Sequence, residues 1–358
     1  MRIGFRVDSA RHIGSGHLQR CLTLARYLRG LGHECIFYSR SFELSYYDIV
    51  KKNNFILNII SDSEIGHFGD EIEWLGVDLQ QDFNDFQPYL EVDALDICVV
   101  DHYSIDECWE SQTKKYVSRL MVIDDLANRN HDCDLLLDQN YFPDFENRYN
   151  GLVSVNTLKL LGPTYCLLRD EFSELRDTNY QLVTEKPLIS INFGGVGVFS
   201  FLEKVVSTIN KFPAYKFILI TGKLNEDEYS SLEKIKESHV DLIQSTNEMA
   251  KIFKESQFVI GACGSTVWER FCLGVNAGLV AVAENQKPLI DFLSKNELID
   301  NLGLCADFDQ ENFFSYMTKL NLNSELYKVR RNKIMALVDG LGVQRVTDLL
   351  LENVYVER

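Results

Sequence analysis

The feature that most restricts the fold is a unit that occurs once near the start of the chain and again in its second half. Residues 2–8, RIGFRVD, alternate polar and apolar as a strand does, and a turn containing Gly14 and Gly16 follows. Leucine and alanine then recur at helical spacing as far as Gly30. Residues 188–195, LISINFGG, begin a second unit in the same way. Both halves therefore predict strand–turn–helix units of a parallel sheet.

Further apolar runs that end in polar residues extend this pattern. The first half contains such runs at 33–40, 95–103, 119–125 and 133–140. The second half contains them at 216–222, 256–270 and 277–286. Buried parallel strands have this composition, and their carboxyl ends carry the polar groups. The predicted fold class is α/β, with two Rossmann-like domains facing each other across a cleft, which is the GT-B arrangement.

The length of 358 residues favours about two domains. A charged stretch at 173–187, SELRDTNYQLVTEKP, has the composition of a linker. We therefore predict a first domain over 1–165, a linker over 166–186 and a second domain over 187–340. The last segment, 341–358, is predicted to be a helix that can cross back to the first domain.

Charge and composition exclude several classes of partner. The formal net charge of −17 argues against nucleic acid, whose phosphates require lysine and arginine. No apolar run approaches the ~18 residues of a membrane span, and the charged N-terminus is not a secretory signal. The nine cysteines contain no CxxC pair and favour a reducing cytoplasm. The sequence leaves the oligomeric state open, with a monomer favoured.

His17 follows the first glycine turn, at the predicted start of a helix. Open α/β sheets bind ligands at the carboxyl ends of their strands. A helix N-terminus disfavours the imidazolium, so the neutral ring would accept a proton near pH 7. His17 is therefore a candidate general base, and the alternative is a solvated or capping histidine. Asp8 ends the preceding strand and is a candidate to orient His17 or to bind a substrate amide.

The most informative glycine turn lies at 261–270, GACGSTVWER. Ser265 and Thr266 stand where a helix should begin, so that their amides and hydroxyls would face a diphosphate. Glu269 lies one turn further on, where a carboxylate can bridge the two hydroxyls of a ribose. The alternative is an ordinary Ser/Thr cap with an acidic first turn.

The sequence matches other nucleotide-binding, hydrolase and metal-binding motifs less well than it matches a diphosphate site. No glycine turn ends in GK[ST], and GSGHLQ lacks the third glycine of a dinucleotide fingerprint, which disfavours NAD. No GxSxG elbow occurs. Polar residues at strand ends raise the alternative of a metal site, with Asp101-His102-Tyr103, Asp124-Asp125, His12, His17 and His131 as candidates. Hydrogen-bonded strand-end caps are favoured over a metal, because no helical HxxxH-type ligand pair occurs.

The motifs, taken in order, resemble those of the UDP-sugar hydrolases of pseudaminic acid biosynthesis. These enzymes are relatives of the GT-B glycosyltransferases that include the peptidoglycan N-acetylglucosaminyl transferase. The resemblance runs from about residue 2 to residue 346. The segments that carry it are GSGHLQRCLTLA, WLGVD, VVDHYSID, IDDLANRNHDCDLLLDQN, LLGPTYCLLRDEF, INFGGV, GACGSTVWERFCLG, VAENQ and LVDGLGVQRV.

This resemblance implies the hydrolysis of UDP-2,4-diacetamido-2,4,6-trideoxy-β-L-altropyranose to the free sugar and UDP. Water would attack the anomeric carbon with inversion, and neither a metal nor another cofactor would be needed. The family's catalytic histidine corresponds to His17, the tyrosine of its DHY motif to Tyr103, and the asparagine of its ENQ motif to Asn285.

The resemblance also implies the substrate-binding residues. Its UDP-binding segment corresponds to Gly264, Ser265, Thr266 and Glu269. The other predicted substrate contacts, besides Asp8, are Gly14, Gly16, Arg20, Gly194, Gly195 and Gln286. One position departs from the family, whose members often have an acidic residue where this chain has Gly197.

Hydrolysis of a UDP-sugar requires only one general base from the protein. Ordinary glycosidases use two carboxylates, but UDP is already a good leaving group, so one base and amides that hold the diphosphate suffice. A GT-B glycosyltransferase, or a hydrolase of a related UDP-diacetamido sugar that feeds another nonulosonic acid, is an open alternative. A non-catalytic protein that binds nucleotide sugars is a further one.

Overall fold

We describe a computed structural model of the chain, covering residues 1–10, 13–42, 46–62, 74–177, 185–194, 199–222, 224–352 and 354. The chain divides into two compact units. The first unit contains residues 1–140, 144–168 and the segment from 341 onward. The second unit contains residues 141–143 and 169–340.

The first unit is a parallel sheet covered by helices. Its strands are β1 (Arg2–Val7), β2 (Glu34–Ser41), β3 (Ile56–Asp62), β4 (Ile97–Asp101), β5 (Arg119–Ile123), β6 (Leu135–Asp138) and β7 (Leu158–Leu161). Its helices are α1 (Gly16–Gly30), α2 (Asp48–Lys52), α3 (Leu79–Asp93), α4 (Glu107–Thr113) and α13 (Gly342–Leu351). The strand order is β3-β2-β1-β4-β5-β6-β7.

The second unit repeats this architecture. Its strands are β8 (Leu188–Asn192), β9 (Lys216–Ile220), β10 (Val240–Ile243), β11 (Phe258–Ala262), β12 (Ala277–Ala281) and β13 (Asp300–Leu304). Its helices are α5 (Asp170–Glu174), α6 (Phe199–Ile209), α7 (Glu226–Ile235), α8 (Met249–Glu255), α9 (Thr266–Leu273), α10 (Lys287–Lys295), α11 (Gln310–Lys319) and α12 (Glu325–Leu337). The strand order is β10-β9-β8-β11-β12-β13, again parallel.

Each sheet has a point at which the direction of chain progression reverses. In the first unit β1 lies between β2 and β4, and in the second unit β8 lies between β9 and β11. At such a switch point the loops after two neighbouring strands diverge to opposite faces and leave a crevice for ligands. The α/β prediction is confirmed, and each sheet offers one such crevice.

The two faces of the first sheet pack against different helices. Ile3, Phe5 and Val7 of β1 pack with α1 residues such as Leu18 and Leu22. The opposite face of the sheet packs against α3 and α4. Successive strand residues point to opposite faces, so Arg6 and the residues in register with it lie on the α3 side.

The C-terminal helix α13 belongs to the first unit. Val343, Val346 and Leu350 join the same apolar core as β1 and α1. Gly342 allows this packing, because a Cβ there would lie 2.2 Å from the carbonyl oxygen of Cys166. Within the described residues, no helix is long and apolar enough to cross a membrane.

Candidate active site

His17 is the second residue of α1, and it meets the carboxyl end of β4. Its Nδ1 lies 2.6 Å from Oδ1 of Asp101, the last residue of β4. His17 is 8% exposed and Asp101 is fully buried. The two residues meet because β1 and β4 are neighbours at the switch point.

Arg20, one helical turn after His17, binds the same carboxylate. Its Nε donates to Oδ2 of Asp101 at 2.6 Å, and its Nη2 donates to Oδ1 at 2.7 Å. Burial alone would raise the pKa of Asp101, but the positive charge of Arg20 and the contact with His17 hold that pKa well below its usual range. Asp101 is therefore an anion at neutral pH.

The anionic Asp101 sets the tautomer of His17. A carboxylate accepts hydrogen bonds, so the ring proton lies on Nδ1 and the lone pair lies on Nε2. In the described part of the chain, no protein group forms a hydrogen bond with Nε2. This nitrogen is therefore free to accept a proton from a bound water or hydroxyl.

Tyr103 packs against the imidazole and is held by a second carboxylate. The two ring centroids are 4.5 Å apart at an interplanar angle of 81°. The Tyr103 hydroxyl donates to Asp125 at 2.6 Å, and burial raises the pKa of that hydroxyl well above its usual value. Arg20 Nη1 and Asn140 Nδ2 also donate to Asp125, at 2.8 Å and 2.6 Å. Arg20 thus joins the carboxylates behind His17 and Tyr103.

The sequence patterns do not predict that three residues support the imidazole. Asp101 and Asp125 were candidates only for the disfavoured metal site, although their position at the ends of β4 and β5 is a signal. Trp74 lies in the segment WLGVD, and its ring centroid is 6.3 Å from that of His17 and 5.5 Å from that of Tyr103. The rings of Tyr103 and Trp74 thus both lie beside the imidazole.

The expectation that Asp8 orients His17 is wrong. Asp8 binds both Nη atoms of Arg6, at 2.6 Å and 2.8 Å, and lies 3.3 Å from Nε2 of His102. Arg6 and Asp8 are two residues apart and point to the α3 side of the sheet, whereas His17 lies on the α1 side. The predicted contact of Asp8 with a substrate amide stays a prediction.

The first glycine turn leaves open space beside His17. Gly14 has a φ of +82°, in the left-handed region that favours glycine. Its amide donates to the carbonyl oxygen of Ala10 at 2.7 Å. A Cβ placed on Gly14 or on Gly16 would meet no atom of the described residues within 4 Å. The turn therefore offers room for a ligand.

The second unit presents free amides at its own switch point. Gly264 and Ser265 lie between β11 and α9, and Thr266 is the first residue of α9. In the described residues no acceptor binds the backbone N–H groups of these three residues. Ser265 makes no side-chain cap hydrogen bond, unlike an ordinary Ser cap. Consecutive free amides at a helix N-terminus can bind an anion.

Two other predicted residues lie beside this turn. The Glu269 side chain is 18% exposed, and burial raises its pKa to about 7 against the opposing charge of Arg169. Gln286 Nε2 would lie 3.8 Å from a Cβ at Gly264. Asn285 belongs to a short 3-10 turn, Glu284–Gln286, and its side chain is outside the described part of the chain.

The turn after β8 is described only in part. Gly194 has a φ of +74°, and its amide donates to Oδ1 of Asn192 at 2.8 Å. Gly195 and the divergent Gly197 lie outside the described residues. The structure thus brings the predicted residues together as two sets, one in each unit.

The residues that raised a metal alternative are engaged with one another. His131 Nδ1 lies 2.7 Å from Oε1 of Glu110, and its Nε2 lies 3.8 Å from Oδ2 of Asp124. His12 lies outside the described residues. Among the described residues, no group of three or more His, Cys, Asp or Glu side chains is arranged to hold a metal ion.

Comparison with known sequences gives three informative relatives, although no profile of a known protein family matches the chain. The UDP-2,4-diacetamido-2,4,6-trideoxy-β-L-altropyranose hydrolase of Campylobacter jejuni is 24% identical over 302 residues, 82% of this chain and 97% of that protein. An uncharacterized protein of Methanocaldococcus jannaschii is 24% identical over 81% of this chain. The matched region spans 58% of that protein's length. The spore coat polysaccharide biosynthesis protein SpsG of Bacillus subtilis is 25% identical over 55% of this chain and 59% of its own.

Solved structures show the fold. MurG of Acinetobacter baumannii matches 98% of this chain and 99% of its own length, with a TM-score of 0.68 and 15% identity. The calicheamicin glycosyltransferase CalG4 matches 97% and 96%, with a TM-score of 0.63 and 13% identity. The chain therefore has the GT-B fold, and it is similar in sequence to the Campylobacter hydrolase, as its motifs indicated.

Proposed function

We propose that this protein hydrolyses UDP-2,4-diacetamido-2,4,6-trideoxy-β-L-altropyranose to UDP and the free sugar, with His17 as the general base. The observation that carries the proposal is the imidazole geometry. Nδ1 is bound to the anionic Asp101, while Nε2 has no hydrogen-bond partner among the described residues. The similarity to the Campylobacter hydrolase over 82% of the chain supports the substrate.

This geometry supports the following mechanism. Water loses a proton to Nε2 of His17 while its oxygen forms a bond to the anomeric carbon. The bond from that carbon to the diphosphate oxygen breaks, UDP leaves with the electron pair, and the anomeric configuration inverts. Asp101 stabilises the imidazolium that forms. The free amides of Gly264–Thr266 and the dipole of α9 would hold the charge that develops on the diphosphate.

A glycosyltransferase is the second candidate, since MurG and CalG4 share the fold. In that reaction His17 would deprotonate an acceptor hydroxyl instead of water. The two functions differ in one observable, because only a hydrolase releases UDP steadily from the UDP-sugar alone.

The test is UDP release from the purified UDP-sugar by wild type and by His17→Asn. The wild type is expected to release UDP with EDTA present, and NMR of the first-formed sugar should show the inverted anomer. H17N should bind the UDP-sugar and turn over about 10²–10⁴-fold more slowly. His33→Asn, a histidine at the amino end of β2, serves as the control. An H17N rate within about tenfold of wild type would exclude His17 as the base.

We further propose that this reaction takes place in the cytoplasm. All nine cysteines are free thiols, as expected for a protein in a reducing compartment.

A further inference from the structure

Arg270 lies in the second turn of α9, and its side chain folds back onto the glycine turn that precedes the helix. Nη2 donates to the carbonyl oxygen of Ala262 at 2.8 Å and also to the hydroxyl of Thr266. Nε donates to the carbonyl oxygen of Thr266 at 3.0 Å. The guanidinium therefore joins the end of β11 to the start of α9, and it braces the three residues between them.

Within the described residues, no carboxylate forms an ion pair with this guanidinium, and the neighbouring Glu269 acts on it only through space. Arg270 is 1% exposed, and its hydrogen-bond partners in the described residues are two carbonyl oxygens and one hydroxyl. Nη1 has no partner within that part of the chain. Burial lowers the pKa of Arg270 to about 10, so it stays protonated at neutral pH. By contrast, the buried Arg330 of α12 pairs with Asp300 of the edge strand β13 at 2.8 Å.

A buried cation that no carboxylate pairs directly is costly, and such groups are normally paired. Here the guanidinium without an ion pair lies behind three free amides and the positive end of a helix dipole. All three features favour the same ligand, a group with negative charge on the outer side of the turn. Uridine and ribose carry no charge that this arrangement would recognise.

We propose that Arg270 is a positioning residue for the diphosphate of the nucleotide sugar. The Arg270 side chain fixes the conformation of the turn Cys263–Ser265 and supplies buried positive charge behind that turn. The site would therefore bind UDP more tightly than uridine. This inference rests on the proposed function, in which the second unit binds UDP. It goes further by assigning a role to a side chain that is buried behind the turn.

The experiment compares the affinities of UDP and uridine, by calorimetry and NMR titration, for wild type and for variants that separate charge from shape. Arg270→Met is expected to weaken UDP binding about tenfold or more and uridine binding by less than about threefold. Arg270→Gln keeps a hydrogen-bond donor, removes the charge and should behave in the same way. Arg270→Lys keeps the charge and should retain the wild-type ratio of the two affinities within about threefold. The matched control, Arg330→Met, should also leave that ratio unchanged.

Equal weakening of UDP and uridine in R270M would overturn the inference, because a purely structural role loosens the whole site. If R270M does not fold, as judged by circular dichroism, R270Q decides between the same two outcomes. A wild-type protein that binds neither UDP nor the UDP-sugar would instead overturn the proposed function itself.

Discussion

At the scale of single residues, the role of His17 depends on a residue 84 positions away. A histidine at a helix start is ordinarily solvated, and its helix dipole disfavours the charged ring. The structure adds the anionic Asp101, which fixes the tautomer and would stabilise the imidazolium during turnover. Arg20 donates two hydrogen bonds to Asp101 and balances its negative charge. The carboxylate can therefore stay ionised in a buried position while it orients the imidazole.

This arrangement predicts the effect of Asp101→Asn. The amide no longer fixes the proton on Nδ1, so kcat is expected to fall about 10- to 100-fold while KM changes little. Steady-state kinetics of UDP release would measure both constants. Asp82→Asn is the matched control, because Asp82 of α3 is equally buried and also binds arginines but has no predicted contact with the substrate. D82N should lower stability and preserve the kcat of the folded protein. A D101N enzyme with wild-type kcat would contradict the orienting role.

At the scale of elements, the strands that could be predicted are those buried on both faces. β4 and β11 are continuous apolar runs with every residue buried, so composition alone reveals them. β13 reads DNLGL and alternates half-buried with exposed residues, since it lies at the edge of its sheet. β10 has four residues and also lies at an edge. Such strands form because they pair with a neighbouring strand, and their own sequences contain little of the apolar pattern that predicts a strand.

The docking of α13 predicts the effect of Gly342→Ala. The new methyl group would collide with the backbone at Cys166, so the helix must shift, at an expected cost of about 1–3 kcal/mol in the free energy of unfolding. Urea denaturation followed by circular dichroism would measure the loss. Gly30→Ala is the matched control, because a Cβ on this helical glycine meets no atom within 4 Å. G30A should leave stability unchanged or raise it by up to about 1 kcal/mol. Equal stabilities of the two variants would refute the close packing.

At the scale of the whole molecule, buried ion pairs make the stability of the first unit depend on pH. His131 lies between Glu110 and Asp124, and Arg129 also pairs with Asp124 at 2.8 Å. Burial opposes the charged ring, but the two carboxylates outweigh it and raise the pKa of His131 to about 9. The ordinary value is about 6.5. Because the pKa of His131 is raised in the folded state, its ion pairs contribute fully to the free energy of unfolding below about pH 6.5. That contribution is lost as the pH rises through about 9.

The first unit should therefore lose on the order of 3 kcal/mol between pH 6.5 and pH 10 from this group. Hydrogen exchange of the amides in β4 and β5, corrected for the intrinsic pH dependence, would measure the change. His131→Gln should be less stable at pH 6.5 and should lose most of the pH dependence. Protection that is constant over this range in the wild type would contradict a charged His131.

The α/β class and the positions of the glycine turns follow from local patterns, because strand period, helix spacing and turn residues act over a few positions. The partner of His17 could not be inferred in this way. Asp8 and Asp101 both end buried strands, and only the pairing of β1 with β4 and the direction of each pleat place Asp101 beside the imidazole. The burial of Arg270 without an ion pair among the described residues could not be inferred from GACGSTVWER either. It depends on the close packing of α9 against β11, which removes water from a side chain that would otherwise be solvated.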